Sequence, residues 1–151
     1  MMQDIEVIRT FAILNRLFLG YFADSIAGTG VSYSEGIILV NIGYQPGASQ
    51  DCLAAQLVID KAAVARSAKA LAEKGLITAT RSAGDRRANS LRLTEEGGVL
   101  FARIQAVNRR WVDGLCAGLP AADLRAFHAC LQTMGDRAKA FPDLSSPNSS
   151  P

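Results

Sequence analysis

A mainly α-helical fold interrupted by one β-hairpin is what this sequence predicts, and three observations carry it. Apolar residues recur at three- and four-residue spacing on both sides of one short region, Leu76 to Thr94, where the period drops to alternation. Residues that cap helices, Ser32, Ser49, Asp60 and Thr94, stand where helical patterns begin. Lys74-Gly75 and the polar, Gly-containing turn 82–89 supply the breaks.

The first helix is expected from Asp4 to about Ala27. Ile8, Phe11, Leu14, Phe18 and Tyr21 share one stripe, while Val7, Ile13, Leu17 and Phe22 fall on other faces. A helix apolar nearly all round is covered on more than one side, and a second subunit is a candidate cover. Gly28-Thr29-Gly30 ends it, and Ser32-Tyr33-Ser34-Glu35 then has the spacing of a capping box. The second helix is expected to reach Ile42, followed by the loop Gly43–Gly47. Ser49 caps a third helix, Gln50 to Leu57, and Asp60 a fourth, closed by Lys74-Gly75 with a cation and then a left-handed cap. Strands are expected at Leu76–Arg81 and Ser90–Thr94. Thr94-Glu95-Glu96 starts a further helix with Leu100, Ile104, Val107, Trp111 and Leu115 on one stripe. Pro120 opens the last helix, whose seam is Leu124, Phe127, Leu131 and Met134. The Ser/Pro-rich tail from Phe141 to Pro151 reads as disordered.

Helix, helix, helix, strand, turn, strand is the order of a winged helix-turn-helix. Charge points the same way. The net charge is only +2 over 151 residues. Between Lys61 and Arg92, however, eight basic residues face two acidic ones, a net +6, and the rest of the chain carries −4. A basic island in an acidic chain marks a polyanion-binding surface.

Helical geometry places that island on the fourth helix. At about 100° per residue, with Lys61 at zero, Ala65 lies near 40°, Lys69 near 80°, Ala62 near 100° and Arg66 near 140°. Val64, Ala68 and Leu71 cluster on the opposite side, near 280–340°. One face is apolar, and the other is basic but otherwise stripped to alanines, so it fits the major groove closely. Arg66 and Lys69 are the expected contacting charges, with Lys61 on a phosphate. The hairpin tip Gly84-Asp85-Arg86-Arg87 offers guanidinium groups to a minor groove, with Asp85 orienting an arginine.

The residues Leu53-Ala54-Ala55-Gln56-Leu57, Asp60-Lys61, Val64, Arg66, Leu71 and Glu73-Lys74-Gly75-Leu76-Ile77, followed by Asp85-Arg86-Arg87-Ala88-Asn89-Ser90-Leu91-Arg92-Leu93-Thr94-Glu95-Glu96-Gly97, resemble the multiple antibiotic resistance regulator (MarR) family. The similarity covers about Ser32 to Gly97, and Asp-x-Arg followed by Leu-x-Leu-Thr-x-x-Gly is its most specific piece. The resemblance implies residues 1–31 as an N-terminal dimerisation helix, 32–95 as the winged DNA-binding lobe and 96–140 as C-terminal dimerisation helices, ahead of the tail 141–151. It implies a homodimer on a (pseudo)palindromic operator in double-stranded DNA, most simply as a repressor, and a ligand cleft between the dimer helices and the DNA lobe. On this chain Lys61, Ala62, Ala65, Arg66 and Lys69 form the reading face, and Asp85, Arg86 and Arg87 the wing. Ala62, Ala63 and Ala65 depart from the Ser or Thr often found in the family, which removes hydroxyl donors.

Other functions find less support. A winged helix that binds protein and not DNA is the alternative, although it would lack paired arginines at the wing tip. Phe11, Phe18 and Trp111 are candidates for an aromatic small-molecule site, with core packing favoured for the same residues. His128 and Cys130 point about 200° apart on a helix, so with Cys116 they do not converge on a metal. With one histidine and no Gly-rich phosphate loop, neither an enzyme nor a cofactor is expected. Cys52, Cys116 and Cys130 form no disulfide framework and fit a reducing cytoplasm. Phe11–Phe22 is broken by Asn15 and Arg16 and too short to span a bilayer, so no membrane association is expected.

Overall fold

The computed structural model describes residues 4–81 and 89–140. Two compact units divide the chain, one ending at Trp111 and the other starting at Val112. The first unit holds α1 (Asp4–Ile26), α2 (Tyr33–Tyr44), α3 (Gln50–Leu57), α4 (Lys61–Glu73), β1 (Ile77–Arg81), β2 (Asn89–Leu93) and most of α5 (Glu95–Cys116). The second holds the end of α5 and all of α6 (Ala121–Lys139).

Local chemistry sets the helix starts. The Ser32 hydroxyl accepts the Glu35 amide at 3.3 Å, while the Ser32 amide donates to the Glu35 carboxylate at 2.9 Å, completing the capping box. Ser49 Oγ accepts the Cys52 amide at 3.1 Å, and Asp60 Oδ2 the Ala63 amide at 3.0 Å. At the end of α4 the Leu76 amide donates to the Leu71 carbonyl and the Gly75 amide to that of Ala72, with Gly75 at φ 72°. This is a Schellman cap, so Leu76 terminates the helix and β1 begins at Ile77, one residue later than the pattern predicts. Helix α2 runs two residues past Ile42, because Tyr44 sets its ring edge-on to Phe101 at 5.3 Å and Gly43 lies under that same ring.

One apolar core unites the first unit. Phe22 and Ile26 of α1 meet Ile38, Leu39 and Ile42 of α2, Leu53 of α3, Val64 and Leu71 of α4, Ile77, Leu91, and Ile104 of α5. The strands pair antiparallel with Ile77 opposite Leu93 and Ala79 opposite Leu91, which turns Leu91 inward and Arg92 out. On the other edge of β2, Leu91 donates its amide to the Ala48 carbonyl at 3.1 Å and accepts the Gly47 amide at 2.8 Å. The loop before α3 is thereby stitched to the hairpin, which periodicity does not reveal.

The hairpin root is fastened to α5 by Thr94. Its amide donates to the Leu76 carbonyl at 3.1 Å, its hydroxyl donates to Gly75 O at 2.7 Å, and it accepts the Gly97 amide at 3.1 Å. Gly97 approaches so closely that a Cβ there would collide with the Leu76 carbonyl oxygen. The Thr-x-x-Gly spacing is therefore a packing requirement.

Helix α1 leaves much of its apolar surface open. Among the described residues its buried part is the last turns, where Phe22 and Ile26 join the core. Ile5, Ile8, Phe11, Ile13, Leu14 and Leu17 are exposed. In the second unit Pro120 occupies the N-cap of α6, one residue ahead of the first turn. That helix buries no residue, and Phe127, Leu131 and Met134 of the expected seam lie open. The tail 141–151 lies outside the described residues.

Candidate nucleic-acid interface

Helix α4 sorts its residues as the wheel predicts. Val64, Ser67, Ala68 and Leu71 are buried, while Lys61, Ala62, Arg66 and Lys69 are exposed and Ala65 is half-covered. Burial of the apolar face fixes the rotation of the helix about its axis, and that rotation presents the cations. The turn before it is tight. Val58, at φ 54°, holds the left-handed conformation that a β-branched residue resists, and the Ile59 amide closes back onto the Ala54 carbonyl at 3.1 Å.

The electrostatics differ from the count along the chain. Lys61 Nζ meets Asp51 Oδ1 of α3 at 2.9 Å, and Lys69 Nζ lies 3.8 Å from Glu73 Oε1 on its own helix. Lys74 turns away from this face altogether, donating to the Gly30 carbonyl at 2.7 Å and to the Glu35 carboxylate at 2.5 Å. Among the described residues Arg66 is the cation of α4 that has no carboxylate within 4 Å. Folding thus tempers the basic island with Asp51 and Glu35, drawn from outside it, as well as with its own Glu73. Burial pushes the Glu35 carboxyl up, but the Lys74 hydrogen bond, the Ser32 amide and the Lys74 charge outweigh it and hold the group below its ordinary value.

The wing residues Asp85, Arg86 and Arg87 lie outside the described residues. The strands that carry them are in place, and Arg92 is exposed on β2.

The aromatic candidates split. Phe18 and Tyr21 of α1 pack on Trp111 of α5 at centroid distances of 6.3 and 5.0 Å, and Phe18 also meets Phe22 at 5.8 Å. Phe11 is exposed and belongs to none of these pairs. An open cleft of about 420 Å³ runs between α1 and α5, lined by Tyr21, Asp24, Ser25, Arg103 and Arg110 among others. Of these only Tyr21 figures in the aromatic pattern of the sequence. Arg103 and Arg110 are separated by seven residues on α5, a spacing that puts them on one side, but nothing in the chain order pairs them with Asp24. Cys52 and Cys116 are half-buried and Cys130 exposed, all as free thiols. Among the described residues no helix is long and apolar enough to cross a membrane.

Comparison with known proteins agrees with this arrangement. The model of the MarR family matches residues 29–88. The HTH-type transcriptional regulator BilQ of Clostridium symbiosum (strain WAL-14163) is 28% identical over 136 residues, covering 87% of this chain and 94% of that protein. The structure of a MarR transcriptional regulator from Methanosarcina mazei Go1 superposes with a TM-score of 0.77 at 23% identity, covering 89% of this chain and 97% of that one. Streptococcus pneumoniae FabT in complex with DNA gives a TM-score of 0.73 at 20% identity, covering 91% and 99%.

Proposed function

We propose that this chain, which belongs to the MarR family of transcriptional regulators, binds an operator in double-stranded DNA as a homodimer and represses transcription by blocking polymerase. The observation that carries the reading is the division of α4 into a buried side and an exposed side. Val64, Ala68 and Leu71 anchor the helix, so Lys61, Ala62, Ala65, Arg66 and Lys69 face outward with small residues between the charges. A rod so placed enters a major groove, where guanine edges accept from Arg and Lys. Asp85, Arg86 and Arg87 are assigned to the flanking minor groove.

Dimerisation is supported by the apolar residues that α1 and α6 leave uncovered, which water would otherwise meet. Two α4 helices related by a twofold axis would read half-sites roughly 34 Å apart. A small aromatic ligand is proposed to act beside the Phe18–Trp111 contact, releasing DNA by favouring a different spacing of the two reading helices.

Gel shift against fragments of the chain's own promoter, at two salt concentrations, tests the reading. A complex that weakens steeply with salt is expected. No complex even at low salt would favour a protein-binding winged helix.

A further inference from the structure

We infer that Asp51 restrains the affinity of this chain for DNA of any sequence by holding the Lys61 ammonium away from a backbone phosphate. The inference rests on the DNA-binding reading above. Its starting point is the 2.9 Å contact between Asp51, in the first turn of α3, and Lys61, the first residue of α4, with both side chains about three-quarters exposed at 75% and 74%.

Lys61 is poorly placed for helix stability. It stands at the positive end of the α4 dipole, where a cation is unfavourable, and α4 has no acidic residue in its first turn. Asp60 already caps the helix through the Ala63 amide, so Asp51 is not needed for that task. In a helix-turn-helix the first helix crosses the backbone and the N-terminal end of the second enters the groove. Asp51 and Lys61 occupy those two places.

A phosphate arriving at Lys61 must displace one carboxylate and then sit beside it. The exchange trades one ion pair for another and adds a repulsion, so Lys61 releases little condensed counterion. Removing the Asp51 charge frees the ammonium to neutralise a phosphate outright. Because phosphates carry no sequence information, the gain is equal for operator and unrelated duplex.

The test uses the full-length protein, a duplex selected by the wild type from a random library, and a scrambled duplex of equal length. Binding is followed by fluorescence anisotropy over a salt series for wild type, Asp51→Asn, Lys61→Gln and the double variant. Asp51→Asn should bind both duplexes about two- to fivefold more tightly, the range of one exposed ion pair. Its plot of log K against log salt should steepen by about 0.9, the increment for one more neutralised phosphate. Lys61→Gln should abolish both the gain and the steeper slope, so that the double variant binds each duplex as Lys61→Gln alone does. Asp51 also favours α3 through its helix dipole, so urea unfolding of each variant shows that the readout is not loss of fold. Unchanged affinity and slope in Asp51→Asn would overturn the inference, as would a gain that survives Lys61→Gln. If wild type and every variant fail to bind either duplex at low salt, the DNA-binding reading itself fails and takes this inference with it.

Discussion

Lys74, in the cap of α4, bonds the Glu35 carboxylate of the α2 capping box at 2.5 Å, tying the C-terminus of one helix to the N-terminus of another. The lysine also satisfies the Gly30 carbonyl, so a single ammonium closes the loop ahead of α2. Glu35 is held below its ordinary value despite burial, because the folded state stabilises its charged form. A carboxylate depressed on folding contributes stability that is present above its unfolded value, about 4.3, and is lost as pH falls through the lower folded value. Glu35→Gln should therefore cost about 1 kcal/mol at pH 7. The difference from wild type in urea unfolding should shrink as pH drops below about 4. A gap that stays constant from pH 7 to 3 would remove the charge from the account.

Gly97 and Gly98 are adjacent in α5 but meet different surroundings. A methyl at Gly97 collides with backbone at Leu76, while Gly98 has nothing within 4 Å of its Cβ position. Gly97→Ala should lose about 2 kcal/mol or more through overpacking. Gly98→Ala should gain roughly 0.5–1 kcal/mol from helix propensity. Thermal unfolding of the two variants side by side checks both, and equal shifts would contradict the close approach.

Val58 stores strain in the turn between α3 and α4. It is exposed, so little packing is lost by replacing it. Asn tolerates the left-handed region, and Val58→Asn should stabilise the protein by about 1 kcal/mol. Chemical denaturation decides this, and a loss of stability would mean that the isopropyl group contributes packing.

Arg66 and Arg87 test the two prongs of the proposed DNA contact. Arg66→Ala should lose about 1–3 kcal/mol of operator binding and relax preference at one base pair. Arg87→Ala should weaken the complex by more than about tenfold, the dimer staying folded. Competition binding with single-base operator variants measures both. Full affinity in either variant would rule out that residue's role.

Much of the fold is written locally. Ser32, Ser49 and Asp60 each bond an amide three residues ahead, so the start of each helix follows from a few neighbouring letters. The α4 face is legible because alternation of burial and exposure follows the helical period alone. Relationships between elements are a different matter. Asp51 lies ten residues from Lys61 across a turn, and Glu35 lies 39 from Lys74. The charge count over Lys61–Arg92 could not include either acid, so it overstated the free positive charge. Arg103 and Arg110 are illegible in the sequence for the same reason: the cleft they line exists only where α5 meets α1. The apolar seam of α6 was visible, but what covers it is not encoded in the helix itself.

Strand β2 is held on both edges, paired with β1 on one side and, through the Leu91 amide and carbonyl, bonded to Ala48 and Gly47 on the other. A wing borrowed from a relative and grafted between residues 81 and 89 would leave this root in the recipient, because Leu91, Gly47 and Ala48 lie outside the exchanged stretch and bond through backbone atoms. An exchange that runs past residue 91 keeps the root wherever position 47 can still donate its amide, which bars proline there.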